Sequence, residues 1–331
     1  MRLFASLGVF QYHLWSNYLG IGFLHPGTDF FYLLVGMVAA IAHSRSISAG
    51  KWSEYLTARY LRLYVTFIPV FLIYIFEGRD TLNPVFVLKS FLFIPIHDRL
   101  PLVGPTWMLS QFLLFYWLFS LALLFKQEKI LIPVFGLWGL GCLLAWWTGW
   151  GKIMPSELRN TLFDPRNIEF IMGYLAGKMI LQRQIKLKTA AQMTLFGLVT
   201  LILAVAWANF LRTDPDENIR IFIYGIPLTF LATGLAGQEQ NNSQNRFFQI
   251  FLHPWLVWMG GTSYVLFLTH NIILRVWDTL FTVTSASVPF ILVAVLLTAA
   301  IGYQFWEKPV LDFIRPKISP PKAIAHKKET L

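Results

Sequence analysis

Apolar stretches recur along the chain at 4–22, 28–43, 63–77, 106–125, 130–147, 168–182, 192–211, 220–236, 262–283 and 285–306. A helix needs about 20 apolar residues to cross the hydrocarbon of a bilayer. Inside it, every backbone N–H and C=O must be paired within the chain, which leaves helices or a closed barrel. Ten runs near helical length predict an all-α, polytopic transmembrane bundle of about ten spans. The runs at 28–43 and 63–77 are short and are expected to continue into their flanks. Composition excludes an ordinary soluble domain: charged residues make up 13% of the 331 positions, against about 25% in soluble proteins. Segments 90–104 and 247–259 are apolar but broken by charge or proline, so they read as interfacial or re-entrant pieces. The polar run at 237–245 reads as a loop. The division is a membrane domain over 1–313 and a basic, disordered cytoplasmic tail over 314–331.

Charge sets the orientation, because Lys and Arg concentrate on the cytoplasmic side. With the N-terminus inside and ten alternating spans, 18 of the 27 basic residues fall inside and 9 outside, whereas the 17 acids divide 6 inside and 11 outside. That asymmetry predicts both termini in the cytoplasm. The basic excess therefore reports membrane orientation, with no nucleic-acid partner implied. No small-residue cleavage site follows the first stretch, so it reads as a span and not a signal peptide. The single cysteine, Cys142, lies inside an apolar run and reads as a small hydrophobe.

Within this apolar frame, ionisable residues stand out. Arg2 opens the first stretch and His13 lies eleven residues on, roughly 16 Å along a helix axis. That spacing puts a guanidinium at one membrane face and an imidazole near the middle of the hydrocarbon. Ionisable groups at such depth are costly and mark function by default; the competing reading is a histidine bonded to a neighbouring helix. His270 lies at a similar depth in the ninth stretch. Arg59 and Arg62 share one face of a helix, as residues three apart do. No Cys, His and carboxylate cluster has metal-ligand spacing, so no metal is expected.

Five local patterns occur in order: Arg2 with His13; GTDFFYLLVG from Gly27 to Gly36; RYLRLYVTFIP with Arg59, Arg62, Tyr64 and Pro69; TWMLSQFLLFY from Thr106 to Tyr116; and GTSYVLFLTHN followed by WEKP, with Ser263, Tyr264, His270, Glu307 and Pro309. EFIMGYLAG, from Glu169 to Gly177, is a weaker match. In order and spacing the chain resembles the acyltransferase-3 family of integral membrane polysaccharide O-acyltransferases. Two positions depart from the family pattern: Gln111 stands where the family has Glu, and Val35 where it has Ser.

The resemblance implies an O-acyltransferase of the bacterial plasma (inner) membrane. It would move an acyl group, often acetyl, from cytoplasmic acyl-CoA to a hydroxyl of a surface or exported glycan. Acetyl-CoA or another acyl-CoA would be the donor substrate, with no permanently bound cofactor; the partners are membrane lipids, the donor and the hydroxylated acceptor. Arg binds phosphate through a planar fork, which assigns Arg2, Arg59 and Arg62 to the donor. His13 is the catalytic candidate, either as base or as carrier of the acyl group. His270, Gln111, Asp29 and Tyr264 are the candidates for substrate binding. Glu307-Lys308-Pro309 reads mainly as a helix stop. Two competing readings are a transporter, in which buried His and Arg would mark a substrate pathway, and a non-catalytic relative that only binds lipid or partner proteins. No inverted repeat of the kind common in transporters is found.

Overall fold

The protein is described by a computed structural model that covers residues 1–19, 26–78, 83–96, 100–149, 156–211, 219–242 and 245–318. Among the described residues the chain is built of helices, with no strand. In chain order they are α1 (Arg2–Tyr18), α2 (Gly27–His43), α3 (Trp52–Gly78), α4 (Pro84–Phe91), α5 (Trp107–Leu124), α6 (Leu131–Thr148), α7 (Ser156–Leu162), α8 (Asn167–Leu181), α9 (Leu187–Leu211), α10 (Ile226–Asn241), α11 (Arg246–Phe251), α12 (Pro254–Gly261), α13 (Ser263–Phe281), α14 (Val288–Gly302) and α15 (Lys308–Ile318).

Each of the ten apolar stretches is a helix: α1, α2, α3, α5, α6, α8, α9, α10, α13 and α14. Among the described residues, six helical segments are long and apolar enough to cross a membrane: Trp52–Gly78, Gly104–Leu124, Glu128–Thr148, Leu187–Phe210, Ile221–Asn241 and Ser285–Ile314. A seventh is counted if α12 and α13, bent by 54° at their junction, form one span. The remaining three, α1, α2 and α8, have 17, 17 and 15 residues.

Several boundaries differ from the sequence expectation. The helix around 63–77 begins at Trp52, whereas α2 gains only Gly27. The run at 237–245 is largely helical, because α10 continues to Asn241. Its amides tie the helix down: Gln238 Nε2 donates to Thr194 Oγ1 (2.6 Å), Gln240 Nε2 to the Ile180 carbonyl and Asn241 Nδ2 to the Ile185 carbonyl (2.9 Å each). Residues 243–244 lie outside the described residues. Segment 247–259 is the broken piece α11–α12, and segment 90–104 leaves α4 and is irregular up to the short 3-10 turn at Gly104; 97–99 lie outside the described residues. α15 runs past Ile314 to Ile318, and 319–331 lie outside the described residues.

Packing follows small residues. α2 lies along α8, and a Cβ on Gly36 would overlap the Phe170 carbonyl, while one on Gly173 would overlap that of Leu33. Small residues allow this backbone approach, a common basis of helix association in lipid. α1 sits between α2 and α13, held by Ser6 Oγ donating to the Ser263 carbonyl at 2.7 Å. An aromatic core containing Phe67, Phe115, Phe119 and Phe170 fills the space between α3, α5 and α8. Cys142 is buried among these helices. α9 is peripheral: 6% of its apolar window is buried, and it packs chiefly on α10.

Two π-turns interrupt the ladder, at Ile221–Gly225 before α10 and at Tyr303–Glu307 between α14 and α15. The chain stays helical through Glu307-Lys308-Pro309, so this triplet is no helix stop. Proline is tolerated there because the π-turn that ends at Glu307 already interrupts the regular i→i−4 ladder.

Candidate functional site

Polar residues gather at three levels of the bundle. At the end where α1 begins, α3 presents Arg59 and Arg62. The Arg59 guanidinium hydrogen-bonds His43 Nε2, at the end of α2, and lies over the rings of Tyr55 (5.2 Å) and Tyr116 (5.5 Å). Arg62 is 3.4 Å from Glu307 Oε1, and Thr66 Oγ1 donates to Glu307 Oε2 at 2.7 Å. Glu307 is fully buried at the close of the second π-turn. Arg2 lies within electrostatic reach of Arg59, Arg62, Tyr116 and Glu307. Arg62 and Arg2 thus share one carboxylate, and with Arg59 beside them the group carries a surplus of positive charge. Glu307 meets Arg62 through one guanidinium nitrogen, and arginine is a residue suited to phosphate recognition.

Eleven residues after Arg2 on α1, His13 meets His270 of α13, with ring centroids 5.2 Å apart and planes tilted by 30°. His270 is fully buried between Phe10 and Phe267, and its Nδ1 is 3.2 Å from the Leu266 carbonyl. His13 is half-buried, and Asn17 Nδ2 lies 3.3 Å from its Nδ1. An imidazole pair in an apolar bundle can accept, donate and pass protons.

Near the start of α2, which packs against α1 between Ala5 and Val9, Asp29 forms a buried ion pair with Arg220, Nη2 to Oδ2 at 2.5 Å. Arg220 directly precedes the first π-turn and also lies over the Tyr224 ring. Glu169 is fully buried beside Asp29 and Arg220, and Gly225 leaves room for its carboxyl group. Arg166 pairs with Asp164 at 2.6 Å and covers the Trp107 ring at 4.5 Å. One layer further in, the Tyr32 hydroxyl donates to Gln111 Oε1.

The structure therefore brings together Arg2, Arg59 and Arg62 at one end, and His13 with His270 further along α1. Asp29 and Gln111 stand apart from both groups, engaged by Arg220 and Tyr32. Tyr264 ties α13 to α3 by donating to the Leu63 carbonyl at 3.1 Å. Val35 is a partly buried packing residue of the aromatic core. Sequence reasoning missed His43, Arg220 and the buried state of Glu307. All three sit at the edge of an apolar stretch, where a charge reads as a boundary although it can lie inside. Glu169 was seen only as part of a motif.

A family model for an acyltransferase domain, that of acyltransferase-3, matches residues 1–306. No curated protein and no solved structure matches the chain.

Proposed function

Since the chain belongs to the acyltransferase-3 family, over residues 1–306, and is a multi-pass membrane protein by its apolar helices, we propose that it transfers an acyl group, acetyl in the first instance, from cytoplasmic acyl-CoA to a hydroxyl of a surface or exported glycan. In this reading ten helices cross the bacterial inner membrane with both termini inside. The arginine end then faces the donor, and the Asp29–Arg220 end faces outward.

The observation that carries the reading is the stacking of two functions along α1. Arg2 stands with Arg59 and Arg62 at one end, and His13 stands with His270 eleven residues further along the same helix. A CoA thioester carries several phosphates and cannot enter hydrocarbon, so its charged part needs cations at the water's edge. Its acyl end can then reach inward to a histidine that also meets the acceptor. At that point His13 takes the proton of the acceptor hydroxyl, or takes the acyl group itself. Gln111 and Tyr264 act in this reading from the surrounding helices, by holding the walls in place.

The test is acyl transfer from radiolabelled acetyl-CoA in membranes carrying the wild-type chain, His13→Ala or Arg59→Ala. Loss of transfer of about 10²-fold or more in His13→Ala, with a raised KM for acetyl-CoA in Arg59→Ala, supports the reading. Full activity of His13→Ala would overturn its role, and no acetyl-CoA-dependent labelling of any glycan would favour a transporter.

A further inference from the structure

The hydrogen-bond directions around the two histidines have a consequence for the chemistry. A carbonyl oxygen only accepts, so the contact of His270 Nδ1 with the Leu266 carbonyl places the hydrogen on Nδ1. In the neutral ring the lone pair is then on Nε2. That atom is buried and has no hydrogen-bond partner among the described residues. The titratable side chain that faces it is His13, while Phe10 and Phe267 offer no donor. On the far side of His13, the Asn17 amide nitrogen donates to Nδ1, which places the His13 hydrogen on Nε2. All the links run one way, from Asn17 through His13 and His270 to Leu266, and the open one lies between the two rings.

We infer that His270 is the positioning partner of His13: the two rings face each other without a hydrogen bond in this structure, and when the acceptor hydroxyl takes the place that Asn17 occupies, His13 Nε2–H closes onto the His270 Nε2 lone pair and His13 Nδ1 is held as the base. This rests on the acyl-transfer reading. In the step, the acceptor O–H gives its proton to His13 Nδ1 as the oxygen attacks the thioester carbonyl. The C–O bond forms, the C–S bond breaks, and the thiolate leaves with the proton returned from Nδ1. His270 shares the charge of the transient imidazolium and loses no proton. Asn17 is exposed and lies one turn beyond His13, on the side of it away from Arg2, the side from which a glycan would come.

The protonation pattern is measurable without turnover. Solid-state NMR of the full chain, 15N-labelled at histidine in phosphatidylethanolamine–phosphatidylglycerol vesicles, reads each tautomer, with His13→Gln and His270→Gln supplying the assignments. The expected result is Nδ1–H for His270 and Nε2–H for His13, the latter becoming mixed in His270→Met and kept in His270→Gln, whose amide oxygen still accepts. Nε2–H on His270, or a His13 tautomer unchanged in His270→Met, overturns the inference. The parallel assay follows acetyl-CoA turnover with octyl glucoside as the hydroxyl probe. There His270→Met should lower kcat by about 10²-fold at unchanged KM for acetyl-CoA, with His270→Gln within tenfold of wild type. Wild-type turnover in His270→Met beside a dead His13→Ala would sink the inference and leave the acyl-transfer reading standing. The expected tautomers without turnover in any chain would uphold the pairing and sink that reading.

Discussion

At the scale of single residues, the Asp29–Arg220 pair shows what a charge does inside such a bundle. Both side chains are almost wholly buried and meet at 2.5 Å. Attraction at that depth offsets the cost of removing two ions from water, and the balance holds only while both are present. Asp29→Asn should destabilise by up to about 3–5 kcal/mol, because it removes the carboxylate that Arg220 meets directly and leaves Glu169 as the remaining acid beside it. The double variant Asp29→Asn with Arg220→Met should recover much of that loss. Unfolding of the purified protein in increasing sodium dodecyl sulfate measures both, and equal loss in the single and double variants would show that the charges do not depend on each other. The pair was not legible in the sequence. Its members are 191 positions apart, periodicity carries no information on partners, and Arg220 looked like one of the boundary charges that mark the outer face. His13 and His270 were legible, since an imidazole in the middle of an apolar stretch has no boundary to mark.

At the scale of elements, α2 and α8 are joined by backbone approach. A Cβ on Gly173 would overlap the Leu33 carbonyl, and one on Gly177 would come within 2.7 Å of the Met37 carbonyl. Backbone cannot turn aside as a side chain can, so Gly173→Ala must push the helices apart, at a cost of about 1–3 kcal/mol by the usual scale of overpacking. Gly136, on α6, meets nothing within 4 Å. Gly136→Ala should therefore be neutral or stabilising by up to about 1 kcal/mol, from helix propensity alone. A lower midpoint for the first and an equal or higher one for the second is the expected pattern. The Gly173–Gly177 spacing was visible in the sequence, but not the helix it faces. The two π-turns were not visible at all. A π-turn adds a residue without any special composition, and such turns are frequent at functional sites; here one follows Arg220 and the other ends on Glu307.

At the scale of the whole molecule, the positions of the ten helices were legible because hydrophobic length is written directly into the chain. Their lengths were not, as α3 shows by starting in the polar segment around Trp52. The proposed topology makes a direct prediction. In a Cys142→Ser background, cysteine at Ser285, between α13 and α14, should react with a membrane-impermeant maleimide added to intact cells. Cysteine at Gln127, between α5 and α6, should react only after permeabilisation. The reverse pattern would invert the bundle and place the arginines on the outside.

The peripheral setting of α9 carries a further consequence, for the order in which the protein comes apart. Segments with few buried contacts open first, at free energies well below that of global unfolding. With 6% of its window buried, α9 leans on α10 and otherwise relies on lipid to hold it. Stepwise replacement of that lipid by denaturing detergent should release α9 while α1 and α13 remain packed through the two histidines. A fluorophore at Trp207→Cys would report its departure before acyl transfer is lost, leaving an intermediate that is incomplete in shape and still competent in chemistry.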